Sequence, residues 1–417
     1  MDVVSLSDAE PSPQTRPVVP VTPSISDKCQ RYTLADETKA EGIYPYYRLV
    51  ESAQDTEVVV DGRRMLMLGS NSYLELTTHP KVKASAIDAI RRYGTGCAGS
   101  RFLNGTLPLH LELERRLAML VGKPAALVFS TGYQANTGTL SCLVHRKEYV
   151  LSDKFNHACI VDGALLSAGT MVRYNHNDMQ DLERHLARLP PTAGKLIVSD
   201  GVFSMEGDIC VLPEITRLAE KYGAQVMLDD AHSIGVLGPG GAGTAAHFGL
   251  TAQVDLIMGT FSKSLAAIGG FIASSERVIN YLKHHSRPFI FSASAPPASV
   301  AAALAALDVM RDEPERIERL WDNARFMKQG LHELGFDTGA SQTPIIPIVV
   351  GEPRECFQMW RWLHDEGIFV NPVVPPAVPP RRAMLRISVT AGHTRTQLSL
   401  ALDKFALVGR KFGLIGR

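Results

Sequence analysis

Apolar positions along this chain follow two periods. Six short runs, Ala126–Phe129, Tyr149–Ser152, Met171–Tyr174, Leu196–Ser199, Gln225–Leu228 and Leu256–Met258, are apolar without alternation. Strands buried on both faces read this way. Between them lie segments such as Met179–Leu189 and Pro213–Tyr222, whose apolar residues recur at helical spacing. The alternation predicts an α/β fold, a mostly parallel central sheet covered by helices. Ligands in such folds collect at the carboxyl ends of the strands.

The flanks are patterned differently. Residues 1 to about 27 are rich in Pro, Ser, Thr and Val without periodicity and are expected to form a flexible leader. A short helical stretch after Tyr32 leads to Glu57–Val60 and Arg64–Leu68, two β-prone runs around Asp61-Gly62 that predict a hairpin. Pro80–Tyr93 predicts a helix with Val82, Ala86, Ile87 and Ile90 on one face. The next stretch, Gly94–Thr106, is too rich in glycine for a regular element. Its Gly94, Gly96, Gly99 and Gly105 imply close backbone approach to a ligand or another subunit.

Past Pro296-Pro297 the pattern changes to long helices, Ser299–Met310 and Ile317–Leu334. A smaller α+β section follows: strand Ile345–Val350, a helix near Cys356–Glu366, extended Ile368–Val374, strand Met384–Val389 and a closing helix from Thr394. The expected division is a leader (1–27), an N-terminal segment (28–68), a large domain (69–295) and a small C-terminal domain (296–417).

At 417 residues the chain exceeds what one core comfortably supports. Lys plus Arg and Asp plus Glu balance at 43 each, which argues against nucleic acid or an acidic membrane surface as partner. No apolar run suits a membrane span and the start has no signal-peptide pattern, so a cytoplasmic location is expected. The six cysteines show no metal or disulfide spacing and read as reduced thiols; no metal site is expected.

The chemistry sits at the strand ends. In MGTFSKSLAAIGG, Lys263 occupies a tight connection between two strands, flanked by Thr260, Ser262 and Ser264. Ser130–Asn136 (STGYQAN) is a small-residue turn opening into a helix, suited to a phosphate. His157 lies just past a strand end, where an imidazole could stack on a flat cofactor or simply pack. Asp229 follows a buried run, where a carboxylate needs a partner such as a protonated pyridine nitrogen. His232, three residues on, could reach a ring hydroxyl. Each alone has an ordinary structural reading. Together, acid, histidine and lysine point to a Schiff base between Lys263 and pyridoxal phosphate.

Asp229 and His232 stand within DDAHSIGVLG and Lys263 within GTFSKS, and the chain also carries SNSYL, GSRFLNGT and DGVFSMEGD. From about Gly42 to the C-terminus the chain resembles the α-oxoamine synthases, fold-type I pyridoxal-phosphate enzymes. YGTGCAGSRFLNGTLPLHLELE and FVNPVVPPAVPP resemble the bacterial serine palmitoyltransferase branch. The resemblance implies that Lys263 holds the cofactor and moves the α-proton, that Asp229 pairs with the ring nitrogen, and that His232 contacts the ring oxygen. It implies that His157 stacks on the ring and helps hold the substrate carboxylate. Gly132, Tyr133, Ser204, Thr260 and Ser262 would serve cofactor or phosphate. Arg386 would bind the amino-acid carboxylate, its alternative being an interdomain salt bridge, with Asn71 close to the substrate.

The implied reaction is a decarboxylative condensation of an L-amino acid, L-serine first, with a long-chain acyl thioester on CoA or a carrier protein. Its products are an α-amino ketone, CO2 and a free thiol. The resemblance also implies a homodimer with shared active sites, Ser292 standing where the neighbouring subunit lends a hydroxyl to the phosphate. Two further departures are Glu75, where relatives carry glycine, and Val374, where some carry arginine. A glutamate facing the acyl entrance would favour a different donor, as in a specialised-metabolite synthase using another amino acid. More distant alternatives are a fold-type I aminotransferase and a non-catalytic partner subunit.

Overall fold

The computed structural model describes residues 24–416. The expected leader therefore lies almost wholly outside the described residues. One compact unit ends at Tyr44 and holds two short helices, Asp27–Gln30 and Leu34–Ala40. The other runs from Pro45 to the C-terminus.

A seven-stranded sheet organises this larger unit. Its spatial order is Ala125–Phe129, Gly270–Ser274, Leu256–Thr260, Gln225–Asp229, Lys195–Asp200, Tyr149–Asp153 and Thr170–Tyr174. Gly270–Ser274 runs antiparallel to both neighbours and the remaining pairs are parallel. All six residues of Lys195–Asp200 are buried, as the unbroken apolar pattern predicts. Thr170–Tyr174 departs from it: only Tyr174 is buried. It pairs with a single neighbour, so one side of this edge strand has no sheet to cover it.

Alternate residues feed two cores. Leu151, Ile197, Leu228 and Ile257 pack on one face with helix Pro297–Asp312, while Val150, Val198, Met227 and Leu256 pack on the other with helices Gly132–Leu143 and Ala158–Leu166. A third core forms around Trp360, Leu385 and Phe405 near the C-terminus. There an antiparallel sheet orders Ile345–Gly351, Ala383–Ser388 and Asn371–Val373. The closing helix Arg395–Lys411 starts at a Thr394–Gln397 capping box. Among the described residues, no helix is long and apolar enough to cross a membrane.

The hairpin forms as expected, Glu57–Val60 against Arg63–Met67, with Asp61 and Gly62 both at positive φ. Such a turn matches the strand twist. The extended run Ile368–Val374 is instead divided. Ile368–Phe369 joins the hairpin in parallel, and Asn371–Val373 joins the C-terminal sheet.

Helix Pro80–Tyr93 also differs from its predicted face. Val82 and Ala89 point inward, but Ile87 and Ile90 are 47% and 42% exposed. The helix lies against the alanine-rich Pro297–Asp312, close enough for Ser85 Oγ to donate to the Ala301 carbonyl at 3.0 Å. Small residues line that contact, which turns the isoleucines outward.

The glycine-rich stretch packs on its own chain. A Cβ on Gly105 would come within 2.3 Å of the Gly99 carbonyl oxygen and of Ser294 Oγ, whereas Gly94 and Gly96 face open space. Arg101 anchors the loop through a buried ion pair with Glu114 (2.9 Å), whose carboxylate also accepts from Val128 N–H at 3.0 Å. Removing one member strands a buried charge. Glu114→Ala is predicted to cost about 3–5 kcal/mol, read by chemical denaturation. Glu112→Ala, which breaks an exposed pair with Arg115, should leave the transition in place.

Candidate active site

Carboxyl ends of adjacent strands bring the acidic residues together. The register pairs Asp200 with Asp229. Both are buried, and they face a cavity of about 290 Å³ that Lys263, His157, His232 and Cys159 also line. Asp229 is held on both oxygens: Asn136 Nδ2 donates at 2.6 Å and Ala231 N–H at 3.0 Å. Burial pushes the Asp200 carboxyl well above its usual range, and the neighbouring Asp229 adds to the rise. Burial draws Lys263 down to about 8, against the pull of Asp229 and Asp200 and with the help of Arg386. A lysine so placed carries a substantial neutral fraction near neutral pH.

The opposite end of the cavity is a cradle of donors. Helix Gly132–Leu143 begins here, capped by Thr131, whose side chain accepts from Gln134 N–H at 3.1 Å. Gly132 is required by contact: an added Cβ would meet Thr260 Oγ1 at 2.9 Å. A Cβ on Gly270 would meet Gly132 Cα at 2.5 Å. The helix start is thus pressed against Thr260, whose hydroxyl lies 3.0 Å from Ser262 Oγ. Tyr133 sits at the rim and donates its hydroxyl to Asp162.

His157 caps helix Ala158–Leu166, its Nδ1 accepting from Cys159 N–H at 3.2 Å. His232 is buried with Nδ1 2.7 Å from the Tyr73 hydroxyl. Burial, then the charges of Lys263 and Arg386, hold His232 well below the usual histidine range. Arg386, in Ala383–Ser388, donates to the Ser204 carbonyl, to Ser388 Oγ at 3.1 Å and to Asn71 Oδ1 at 3.0 Å. None of these partners is a carboxylate, and among the described residues the guanidinium forms no ion pair.

Lys263, Asp229, His232, His157, Gly132, Tyr133, Thr260 and Ser262 all line the one cavity. Asn71 and Arg386 are not among its lining residues. Ser204 does not line it and contributes its carbonyl to Arg386 instead. The Ser204 loop is pinned at Asp208 by His176, which also bonds Asp153 and stacks on Phe155. Burial opposes protonation of His176, but the two carboxylates win and raise it to about 10. Ser292 is likewise off the cavity in its own chain, where its hydroxyl accepts from Gln134 Nε2 at 3.1 Å. Glu75 is absent from the lining too. It packs against Thr390 and Gly392, at φ 54°, and burial raises it to about 7. Asn136, Asp200 and Tyr73 carry no role in the sequence reading. Asp200, an acid at a strand end beside Asp229, had a legible signal; Asn136 and Tyr73 are brought in by packing alone.

The donor set fits pyridoxal phosphate. A helix start with two hydroxyls suits the phosphate, and a buried carboxylate across the cavity suits the protonated ring nitrogen. Comparison with known proteins agrees. The aminotransferase class I and II family model matches residues 63–405. The serine palmitoyltransferase of Sphingobacterium spiritivorum is 53% identical over 92% of this chain and 96% of its own. The 8-amino-7-oxononanoate synthase of Thermoanaerobacter pseudethanolicus is 42% identical over 91% and 96%. The solved S. paucimobilis serine palmitoyltransferase with bound PLP–myriocin aldimine superposes with a TM-score of 0.92 at 37% identity, covering 94% of this chain and 100% of that one. Fold and site therefore define a fold-type I pyridoxal-phosphate transferase, and the chain belongs to the aminotransferase class I and II family. Within it, this is an α-oxoamine synthase, an acyltransferase close to bacterial serine palmitoyltransferase and 8-amino-7-oxononanoate synthase.

Two measurements probe this geometry. Asn136→Ala removes the shortest hydrogen bond on Asp229 and should weaken cofactor binding by about tenfold or more, read by spectrophotometric titration of cofactor-free protein. Only the neutral amine attacks a carbonyl, so capture of a small aldehyde by Lys263 should accelerate with pH and level off above about 8. A midpoint near that of an exposed lysine would contradict the environment described.

Proposed function

We propose that the enzyme condenses L-serine with a long-chain acyl thioester, releasing CO2 and free thiol and yielding an α-amino ketone, the first step of sphingoid base synthesis. The observation that carries this reading is Arg386. It is buried, its hydrogen-bond partners are uncharged, and its charge is felt at Lys263 and His232. A substrate carboxylate would supply the missing counter-charge through a planar, two-pronged contact. Similarity to relatives named serine palmitoyltransferase supports serine as the amino acid.

In this reading Lys263 holds the cofactor through Nζ, Asp229 faces its ring nitrogen and His232 its ring oxygen. His157 would stack on the ring, and Gly132, Tyr133, Thr260 and Ser262 would hold the phosphate. When bound, pyridoxal phosphate supplies an electron sink for charge developing at the amino-acid α-carbon. The amine of Lys263 takes the α-proton and later returns one, a task for which its lowered affinity suits it. Arg386 and Asn71 orient the carboxylate. Glu75 is not among the residues lining the cavity.

The reading includes a homodimer in which Ser292 lends its hydroxyl across the interface. The apolar side chains of Leu103, Leu165, Leu166 and Phe291, all well exposed in the single chain, support association.

A visible-absorbance titration with individual L-amino acids tests the assignment. L-Serine should perturb the band of the bound cofactor at the lowest concentration, and Lys263→Ala should lack the wild-type band. A response to another amino acid but not to serine would transfer the chain to a different synthase specificity. Arg386→Lys should raise the half-saturating serine concentration by about tenfold or more, with the cofactor band retained.

A further inference from the structure

Tyr73 belongs to SNSYL, 159 positions before His232, yet the two meet. Its buried hydroxyl lies 2.7 Å from His232 Nδ1, and the charge of Arg386 is felt at both side chains. His232 also lines the cavity.

A buried hydroxyl needs an acceptor for its single proton, and among the described residues the acceptor within reach of Tyr73 is His232 Nδ1 at 2.7 Å. A neutral imidazole that accepts at Nδ1 carries its proton on Nε2. Burial favours the neutral forms of both rings, holding Tyr73 up to about 12 and His232 well below its usual range.

We propose that Tyr73 is a positioning residue that locks His232 as the Nε2–H tautomer, leaving a hydrogen-bond donor for the cavity that His232 lines. That this donor meets the ring oxygen rests on the proposed role of His232; the tautomer itself does not.

The first test is heteronuclear NMR of cofactor-free protein carrying nitrogen-labelled histidine, with His232→Gln to identify the His232 signals. The expected result is a protonated Nε2 and a bare Nδ1 in the wild type, and loss of that preference in Tyr73→Phe. A protonated Nδ1 in the wild type overturns the proposal even if Tyr73→Phe does not fold. So does a Tyr73→Phe spectrum in which the His232 nitrogens are unmoved. In the cofactor-loaded enzyme, Tyr73→Phe should shift the visible band and lower kcat by about tenfold, while the KM for the amino acid changes less than about threefold. A changed tautomer with an unmoved band would leave the Tyr73 bond standing and overturn the reading of His232 as neighbour of the ring oxygen.

Discussion

Two carboxylates side by side at the ends of neighbouring buried strands are the constraint on which this site depends. Asp200 and Asp229 are register partners, and two buried like charges at such a spacing are costly. The structure resolves this by unequal treatment. Asp200 is pushed toward its protonated form, while Asp229 receives Asn136 and the Ala231 amide. One side of the cavity thus has a fixed acceptor and a lysine drawn down by the same burial, which is the polarity a cationic ring nitrogen requires.

The rest of the fold serves to keep that arrangement dry and rigid. Strands buried on both faces cannot shift register without exposing apolar side chains, so the depth of each strand-end residue is set by the core beneath it. The packing of Gly132 on Gly270 and Thr260 fixes the start of the helix at the cavity by contact rather than by flexible side chains. Arg386 enters from the C-terminal sheet and is held by neutral oxygens from the Ser204 loop and from Asn71. The loop itself is clamped by the His176 bridge between Asp153 and Asp208.

Much of this is legible in the chain. The sheet strands, the hairpin at Asp61-Gly62 and the helix start at Thr394 follow from periodicity, and Asp229, His232, His157 and Lys263 stand out as unusual polar residues placed after apolar runs. What escaped had no local signal. Asn136 sits inside a helix whose spacing says nothing of Asp229, and Ser204 acts through a carbonyl that every residue possesses. The outward turn of Ile87 and Ile90 depends on the small residues of a helix over two hundred positions away.

By itself the sequence determined the class of fold, the cofactor chemistry and the family, because buried strands and the residues just beyond them leave patterns of fixed period and spacing. Only the tertiary structure decided which polar groups share a cavity and which do not. It left Glu75 and Ser204 off the cavity wall and brought Tyr73 to His232. Such choices depend on contacts between distant segments, and a hydrogen bond is made or lost over distances that no local pattern resolves.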